Sequence, residues 1–212
     1  MTLEIQPSLF DAPAEAPALA PLAGGVRRTT LSDGAWVDHL PGWLGGSDAV
    51  FERLAHEVPW RAERRQMYDR EVDVPRLLCF YGEDDALPDP LLDEARTALS
   101  AHYGPELGEP FRTAGLCFYR DGRDSVAWHG DRIGRGRSAD TMVAILSLGD
   151  ARRLSLRPVG GGPGRTLAFP AGHGDLLVMG GSCQRTWEHC IPKTTKPVGP
   201  GVSVQFRPRG VA

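Results

Sequence analysis

The sequence lacks three features that would identify a class of protein at once: paired cysteines, a long apolar run and a large excess of one charge. Its 212 residues include four cysteines, and no two of them form a Cys-x-x-Cys pair. This spacing argues against a zinc ribbon and against a disulfide framework. No apolar stretch approaches the roughly 20 residues that a membrane-spanning helix needs, so we expect no membrane segment.

The overall charge does not point to a nucleic-acid partner, but the basic residues are unevenly placed. Lys and Arg number 24 against 27 Asp and Glu, a net charge of −3. Arginines are concentrated in residues 61–70 and again in residues 132–137. Such clusters are compatible with phosphate contacts, although solvated loop charges would look the same. Residues 1–6 lack the pattern of a secretion signal, and we expect a cytoplasmic protein.

The N-terminal part of the chain predicts a leader followed by one domain. Residues 1–28 are rich in Ala and Pro and offer little apolar surface to bury, so we expect a disordered leader. Residues 29–212 are long enough for a single core. Ser47 is predicted to cap a first helix, which runs to about residue 57. Asp89 followed by Pro90 predicts the start of a second helix, which Gly104 is expected to end.

Short β-type segments dominate the rest of the chain. Strands are predicted at residues 72–74 and 76–81, on either side of Pro75. From residue 113 onward, short aliphatic and β-branched runs recur between turns that carry Gly or Pro. Regularly spaced short strands of this kind predict a sandwich or barrel. The predicted fold class is therefore mostly β with flanking helices.

One short motif has a specific chemical interpretation. His129 and Asp131 lie two residues apart, so in an extended segment both side chains point to the same side. With His189 as a second imidazole, they would form a two-His-one-carboxylate site, which holds non-haem Fe(II) and leaves positions open for other ligands. A His-x-Asp pair alone is weak evidence. Zinc bound by His189 with Cys183 and Cys190 is a weaker alternative.

Further motifs occur in a fixed order between residues 60 and 209. They are Met67-Tyr68-Asp69, Val74-Pro75-Arg76-Leu77, Tyr119-Arg120-Asp121-Gly122, residues 125–131, residues 174–179, Trp187-Glu188-His189 and Val204-Gln205-Phe206-Arg207. In this order they resemble the AlkB family of Fe(II)- and 2-oxoglutarate-dependent dioxygenases. The resemblance implies a double-stranded β-helix, or jelly-roll barrel, in residues 113–212. It also implies helices and a nucleotide-recognition lid in residues 29–112.

The resemblance also implies roles for individual residues. His129, Asp131 and His189 match the catalytic iron ligands of the family. Arg207 matches an arginine that helps to hold 2-oxoglutarate, and Tyr119 matches a tyrosine that donates a hydrogen bond to it. A permanently charged, planar guanidinium suits a carboxylate ligand.

Three residues before the barrel match positions that contact substrate in the family. Phe80 matches an aromatic ring that stacks on an extruded base, although a phenylalanine of the core is nearly as good an interpretation. Tyr68 and Arg76 belong to the expected lid. They would either contact substrate or pack the hairpin.

The sequence departs from the family at cosubstrate positions. Members carry an arginine six positions before the one matched by Arg207, where it pairs with the far carboxylate of 2-oxoglutarate; here that position is Gly201. Cys117 stands where the family usually has Asn, and Ile133 stands where some relatives have an acidic residue. Either another cation substitutes (Lys193, Lys196 or Arg209), or 2-oxoglutarate binds poorly, or the cosubstrate differs.

These observations predict an enzyme, with alternatives. The leading hypothesis is Fe(II)- and 2-oxoglutarate-dependent oxidative dealkylation of alkylated DNA or RNA, a DNA-repair type of reaction, by a monomer. A second hypothesis is an oxygenase of the same fold that acts on another substrate. A third is a catalytically impaired homologue that binds a lesion or a metal, because Gly201 and Cys117 replace the usual Arg and Asn.

Overall fold

The computed structural model describes residues 16–67, 70–132, 134–161 and 166–211, with side chains except those of residues 65–72 and 135. Two antiparallel sheets contain most of the strands in this part of the chain. The larger sheet has, in spatial order, β2 (Arg27–Thr30), β3 (Ala35–Leu40), β12 (Asp175–Gly181), β9 (Val143–Gly149), β14 (Gly201–Arg207), β7 (Thr113–Tyr119), β6 (Arg70–Tyr81) and β5 (Arg61–Met67). The smaller sheet has β11 (Leu167–Ala171), β10 (Arg152–Pro158), β13 (Trp187–Ile191) and β8 (Val126–His129).

The alternation of side chains along β14 shows that the two faces of the larger sheet have different partners. Val202, Val204 and Phe206 are buried in a core that the larger sheet shares with the two long helices. The residues that alternate with them, Ser203, Gln205 and Arg207, point to the other face, toward the smaller sheet. A second apolar cluster lies between the two sheets. The prediction of a mostly β jelly-roll with flanking helices is confirmed.

Both long helices begin where the sequence predicts, and the first also ends there, but the second runs further. Helix α1 is Ser47–Glu57, with Gly46 rather than Ser47 as its N-cap. Helix α2 is Pro90–Leu107, and the Asp89 carboxylate caps it by accepting from the Leu91 N–H at 2.9 Å. The predicted end at Gly104 is wrong, because the left-handed residue that terminates α2 is Gly108, with φ 81°. A short helix, α3, covers Cys183–Thr186. None of the described helices is long and apolar enough to cross a membrane.

The sequence predicted two strands on either side of Pro75, but this prediction is wrong, because β6 runs through Pro75 without a break. The β5–β6 register shifts between Ala62 and Arg64, and the pairing of β6 with β7 begins at Leu77. Pro75 therefore lies where neither neighbouring strand requires its missing N–H. Its carbonyl accepts from the Ser125 N–H at 2.8 Å, which joins the β5–β6 hairpin to the segment that leads into β8.

The predicted disordered leader is corrected in its second half. Strand β1 (Ala18–Leu19) pairs with β4 (Leu44–Gly45), and Leu22 is buried in the core beside the helices. These contacts bury apolar surface that the Ala- and Pro-rich composition had not suggested. Residues 16–28 are thus part of the domain, and residues 1–15 lie outside the described residues.

Candidate metal and cosubstrate site

The register of the smaller sheet brings two histidines together. His129 ends β8 and is the direct partner of His189 in β13. Opposed residues of an antiparallel pair project from the same face, and the two ring centroids are 4.2 Å apart. Asp131 follows β8, and one ligand atom from each of the three residues lies within 4.8 Å of the other two. We call His129, Asp131 and His189 the facial triad.

The turn between the first two triad residues is tightly packed. A Cβ on Gly130 would lie 2.5 Å from the Gln184 carbonyl oxygen, so a larger residue there would displace the backbone. The side-chain oxygen of Gln184 accepts from the Asp131 N–H at 3.0 Å. Gln184 is 1% exposed, and this buried contact fixes where Asp131 enters the site. Gln184 belongs to no recognised motif, so no sequence pattern predicts this role.

Hydrogen bonds orient the ligand atoms of the triad. The Ala127 carbonyl lies 2.9 Å from Nδ1 of His129. A carbonyl can only accept, so Nδ1 carries a proton, and Nε2 is the ring nitrogen that faces the other triad residues. Nε2 is 3.5 Å from Oδ1 of Asp131. Burial lowers the pKa of His189 to about 3, so this imidazole is neutral at physiological pH, as metal coordination requires.

Arg207 is placed against the triad carboxylate. Its Nε donates to Oδ2 of Asp131 at 3.0 Å. Burial by itself would raise the pKa of Asp131, but Arg207 and the two imidazoles together hold it below its usual range. Oδ1 then remains on the side of the histidines. Two neutral imidazoles and one ionised carboxylate fit Fe(II).

A cavity extends from the triad between the two sheets. Its lining combines apolar residues with a few polar ones, among them Cys117, Tyr119, Ile145, Leu177, Gly201 and Ser203. Tyr119 is 4% exposed, and burial raises its pKa, so its hydroxyl keeps a proton to donate. The Cys117 thiol lies 3.7 Å from the side-chain oxygen of Gln205. The cavity thus offers polar anchors to a small ligand that also reaches the triad.

Comparison with known proteins identifies this arrangement. The sequence profile of the 2OG-Fe(II) oxygenase superfamily matches residues 83–207, which include the whole triad and Arg207. The chain belongs to this superfamily. The chain is accordingly an Fe(II)- and 2-oxoglutarate-dependent dioxygenase, and the matched segment contains the facial triad as its candidate metal site.

Named relatives place the chain with the AlkB-like members. The alpha-ketoglutarate-dependent dioxygenase alkB homolog 3 of Bos taurus is 31% identical over 206 residues, which cover 88% of this chain and 69% of that protein. The DNA oxidative demethylase ALKBH2 of Homo sapiens is 26% identical over 182 residues, covering 76% of this chain and 68% of that protein. The solved structure of OsALKBH1 has the same fold, with a TM-score of 0.58, 15% identity and coverage of 85% of this chain and 100% of that one.

Phe80 is exposed on the sheet face that carries the dioxygenase site. It pairs with Gly115 in β7, and a Cβ on Gly115 would lie 2.9 Å from a guanidinium nitrogen of Arg207. Residues directly opposed in a sheet share a face, so Phe80 lies on the same side as Arg207. Its side chain is 62% exposed. The interpretation of Phe80 as a core residue is therefore wrong.

The other predicted lid residues have different outcomes. Arg76 lines the cavity, and one of its terminal nitrogens donates to the Ser125 carbonyl at 3.1 Å. Tyr68 lies outside the described residues, and so does Ile133, the departure noted after the metal motif.

The three cations considered as substitutes for the missing arginine do not line the cavity. Arg209 instead pairs at the surface with Glu83. Lys193 borders a separate depression beside Asp121 and Asp124, and Lys196 is exposed to solvent. The cavity does contain a cation that the sequence analysis missed, Arg152. Arg152 is the first residue of β10 and belongs to none of the motifs in the sequence.

Proposed function

We propose that this dioxygenase removes alkyl groups oxidatively from bases of DNA or RNA, in a reaction of the DNA-repair type. In this proposal the facial triad holds Fe(II), and Tyr119 and Arg207 act at the cosubstrate end of the cavity. Bound iron and 2-oxoglutarate supply the oxidation: one oxygen atom of O₂ enters the N-alkyl group, which then leaves as an aldehyde, while the other enters succinate, formed with release of CO₂.

The residues of the chain itself orient the metal-binding carboxylate and exclude water from the cavity. Arg207 holds one oxygen of Asp131 away from the histidines, so the second oxygen remains available to a metal. Tyr119 keeps its hydroxyl proton and is buried beside the cavity. Ile145 and Leu177 provide apolar walls, which strengthen electrostatic contacts inside the cavity by excluding solvent.

The observation that carries the choice of substrate is the exposed ring of Phe80. In the described part of the chain, it is the one phenylalanine among the large hydrophobic side chains that are exposed. An exposed phenylalanine costs free energy unless a partner covers it, and a base extruded from its stack is a flat partner of suitable size. The relative named a DNA oxidative demethylase supports the same class of substrate.

The test uses an oligonucleotide with an N-methylated base. With Fe(II) and 2-oxoglutarate, the full chain should release formaldehyde from it. Base–aromatic stacking is worth about 1–3 kcal/mol, so Phe80→Ala should weaken binding of the oligonucleotide by about 5- to 150-fold. Fluorescence anisotropy with a labelled oligonucleotide measures this directly. Leu167→Ala, which removes an exposed apolar side chain from β11 in the smaller sheet, is the matched control and should have no effect.

Two results would count against the proposal in different ways. Consumption of 2-oxoglutarate without formaldehyde from any N-methylated DNA or RNA would indicate a substrate other than nucleic acid. If wild type and Phe80→Ala bound the oligonucleotide equally and released formaldehyde at the same rate, the proposed reaction would stand, but Phe80 would have no role in recognising the base.

A further inference from the structure

The cavity lining has a glycine, and so no side chain, opposite Tyr119. Gly201 is the register partner of Tyr119 in β7 and of Gly149 in β9. A Cβ on Gly201 would lie 3.1 Å from the Asp150 carbonyl oxygen and 3.3 Å from that of Leu148. The strand therefore contributes no side chain here, at the position where the family resemblance implies a cation for the far carboxylate of 2-oxoglutarate.

Arg152 occupies the neighbourhood of this position from the opposite sheet. One terminal nitrogen donates to the Asp150 carbonyl at 3.2 Å, the same oxygen that lies next to Gly201. The other donates to the Gly199 carbonyl at 2.7 Å. The guanidinium carbon is 5.8 Å from the centre of the Tyr119 ring. Two backbone carbonyls thus hold the charged group beside both Gly201 and Tyr119.

The guanidinium of Arg152 has no salt-bridge partner among the described residues, and its Nε is buried without a hydrogen-bond partner. The Asp150 carboxylate is engaged by the Gly199 N–H. Burial lowers the pKa of Arg152, and the nearby acidic groups offset this effect only in part. A desolvated cation with an unused donor is a good receptor for a carboxylate ligand.

The other two arginines of the cavity are placed differently. Arg207 is already paired with Asp131 at the triad. Arg76, whose Nε is also buried without a hydrogen-bond partner, extends from β6 and donates to the Ser125 carbonyl rather than to the backbone around Gly201. Among the cavity's cations, Arg152 is the one whose contacts coincide with the missing side chain.

We propose that Arg152 binds the far carboxylate of 2-oxoglutarate and replaces, from β10, the arginine that Gly201 lacks on β14. The inference depends on the chain being a 2-oxoglutarate-dependent dioxygenase and is independent of the proposed nucleic-acid substrate. It also accounts for the retention of a cosubstrate cavity in a chain that departs from the family at Gly201.

The test pairs a change in the protein with a change in the ligand. Calorimetric titration of the Mn(II)-loaded full chain would compare 2-oxoglutarate with 2-oxopentanoate, which has the same carbon chain but no far carboxylate. Truncating one partner of a buried charged contact typically costs 2–5 kcal/mol. Arg152→Gln should therefore weaken 2-oxoglutarate binding by about 30-fold or more. Binding of 2-oxopentanoate should change by less than about threefold, which also shows that the variant remains folded.

Two matched variants complete the experiment. Arg153→Gln changes the next residue of β10, which is exposed, and should leave both affinities unchanged. Arg76→Gln changes the competing cation of the cavity and should not produce a loss specific to 2-oxoglutarate. The proposal is overturned if Arg152→Gln weakens both acids equally, if it weakens neither, or if the ligand-specific loss appears in Arg76→Gln instead.

Discussion

The contact between Arg207 and Asp131 predicts that an arginine outside the facial triad controls metal affinity. The side chains of Arg207 and Asp131 are 15% and 5% exposed, and Nε lies 3.0 Å from Oδ2. Because the pair is largely buried, its disruption by Arg207→Gln leaves a carboxylate poorly compensated. We expect the free energy of unfolding to fall by about 3 kcal/mol, at the low end for broken buried pairs. Mutation of a group that orients a metal ligand typically weakens metal binding by 10- to 100-fold, and we expect a loss of this size for Arg207→Gln.

Electron paramagnetic resonance of free Mn(II) during a titration measures the change in metal affinity, and urea denaturation of the metal-free chain measures stability. Arg209→Gln is the control, because it removes the same guanidinium from a surface pair with Glu83, where the arginine side chain is 74% exposed. Screening by solvent should make its effect on both measurements undetectable. If Arg207→Gln bound Mn(II) as tightly as wild type, the orientation of Asp131 would not depend on Arg207, and the reasoning from this contact would be refuted.

Three further predictions concern stability and metal binding. Gly130→Ala should lower the melting temperature and abolish tight Mn(II) binding, since its Cβ would meet a backbone carbonyl at 2.5 Å. The control is Gly104→Ala in helix α2, where the added Cβ would lie 3.9 Å from the Glu109 carbonyl oxygen, an ordinary contact. This variant should instead stabilise the protein by up to about 1 kcal/mol. Tyr103→Phe removes a hydroxyl that donates to the buried Asp38 carboxylate at 3.1 Å and should cost about 1–2 kcal/mol in urea denaturation; an unchanged midpoint would contradict this. Mn(II) at about 100 times its Kd should add about 2.7 kcal/mol to the stability of the wild type, and replacing either triad histidine by Ala should eliminate this gain.

Local sequence patterns were sufficient for features that depend on neighbouring residues. The spacing of His129 and Asp131 predicted that both side chains would reach one site, because alternation along an extended segment is a property of the backbone. Asp89 predicted the start of α2 for a similarly local reason, since a side-chain cap acts within one turn. The order of motifs along the chain identified the family, which the superfamily match over residues 83–207 bears out.

The tertiary structure decided which distant residues meet. His189 lies opposite His129 only because β8 and β13 pair in one register, and register depends on packing across the whole sheet. The same packing exposes Phe80 and brings Arg152 from the smaller sheet to the backbone beside Gly201. A motif places a residue on a strand, but long-range pairing of strands determines its partners. For that reason the sequence by itself determined the residue types and spacing of His129 and Asp131, while only the folded chain placed Arg152 beside Gly201.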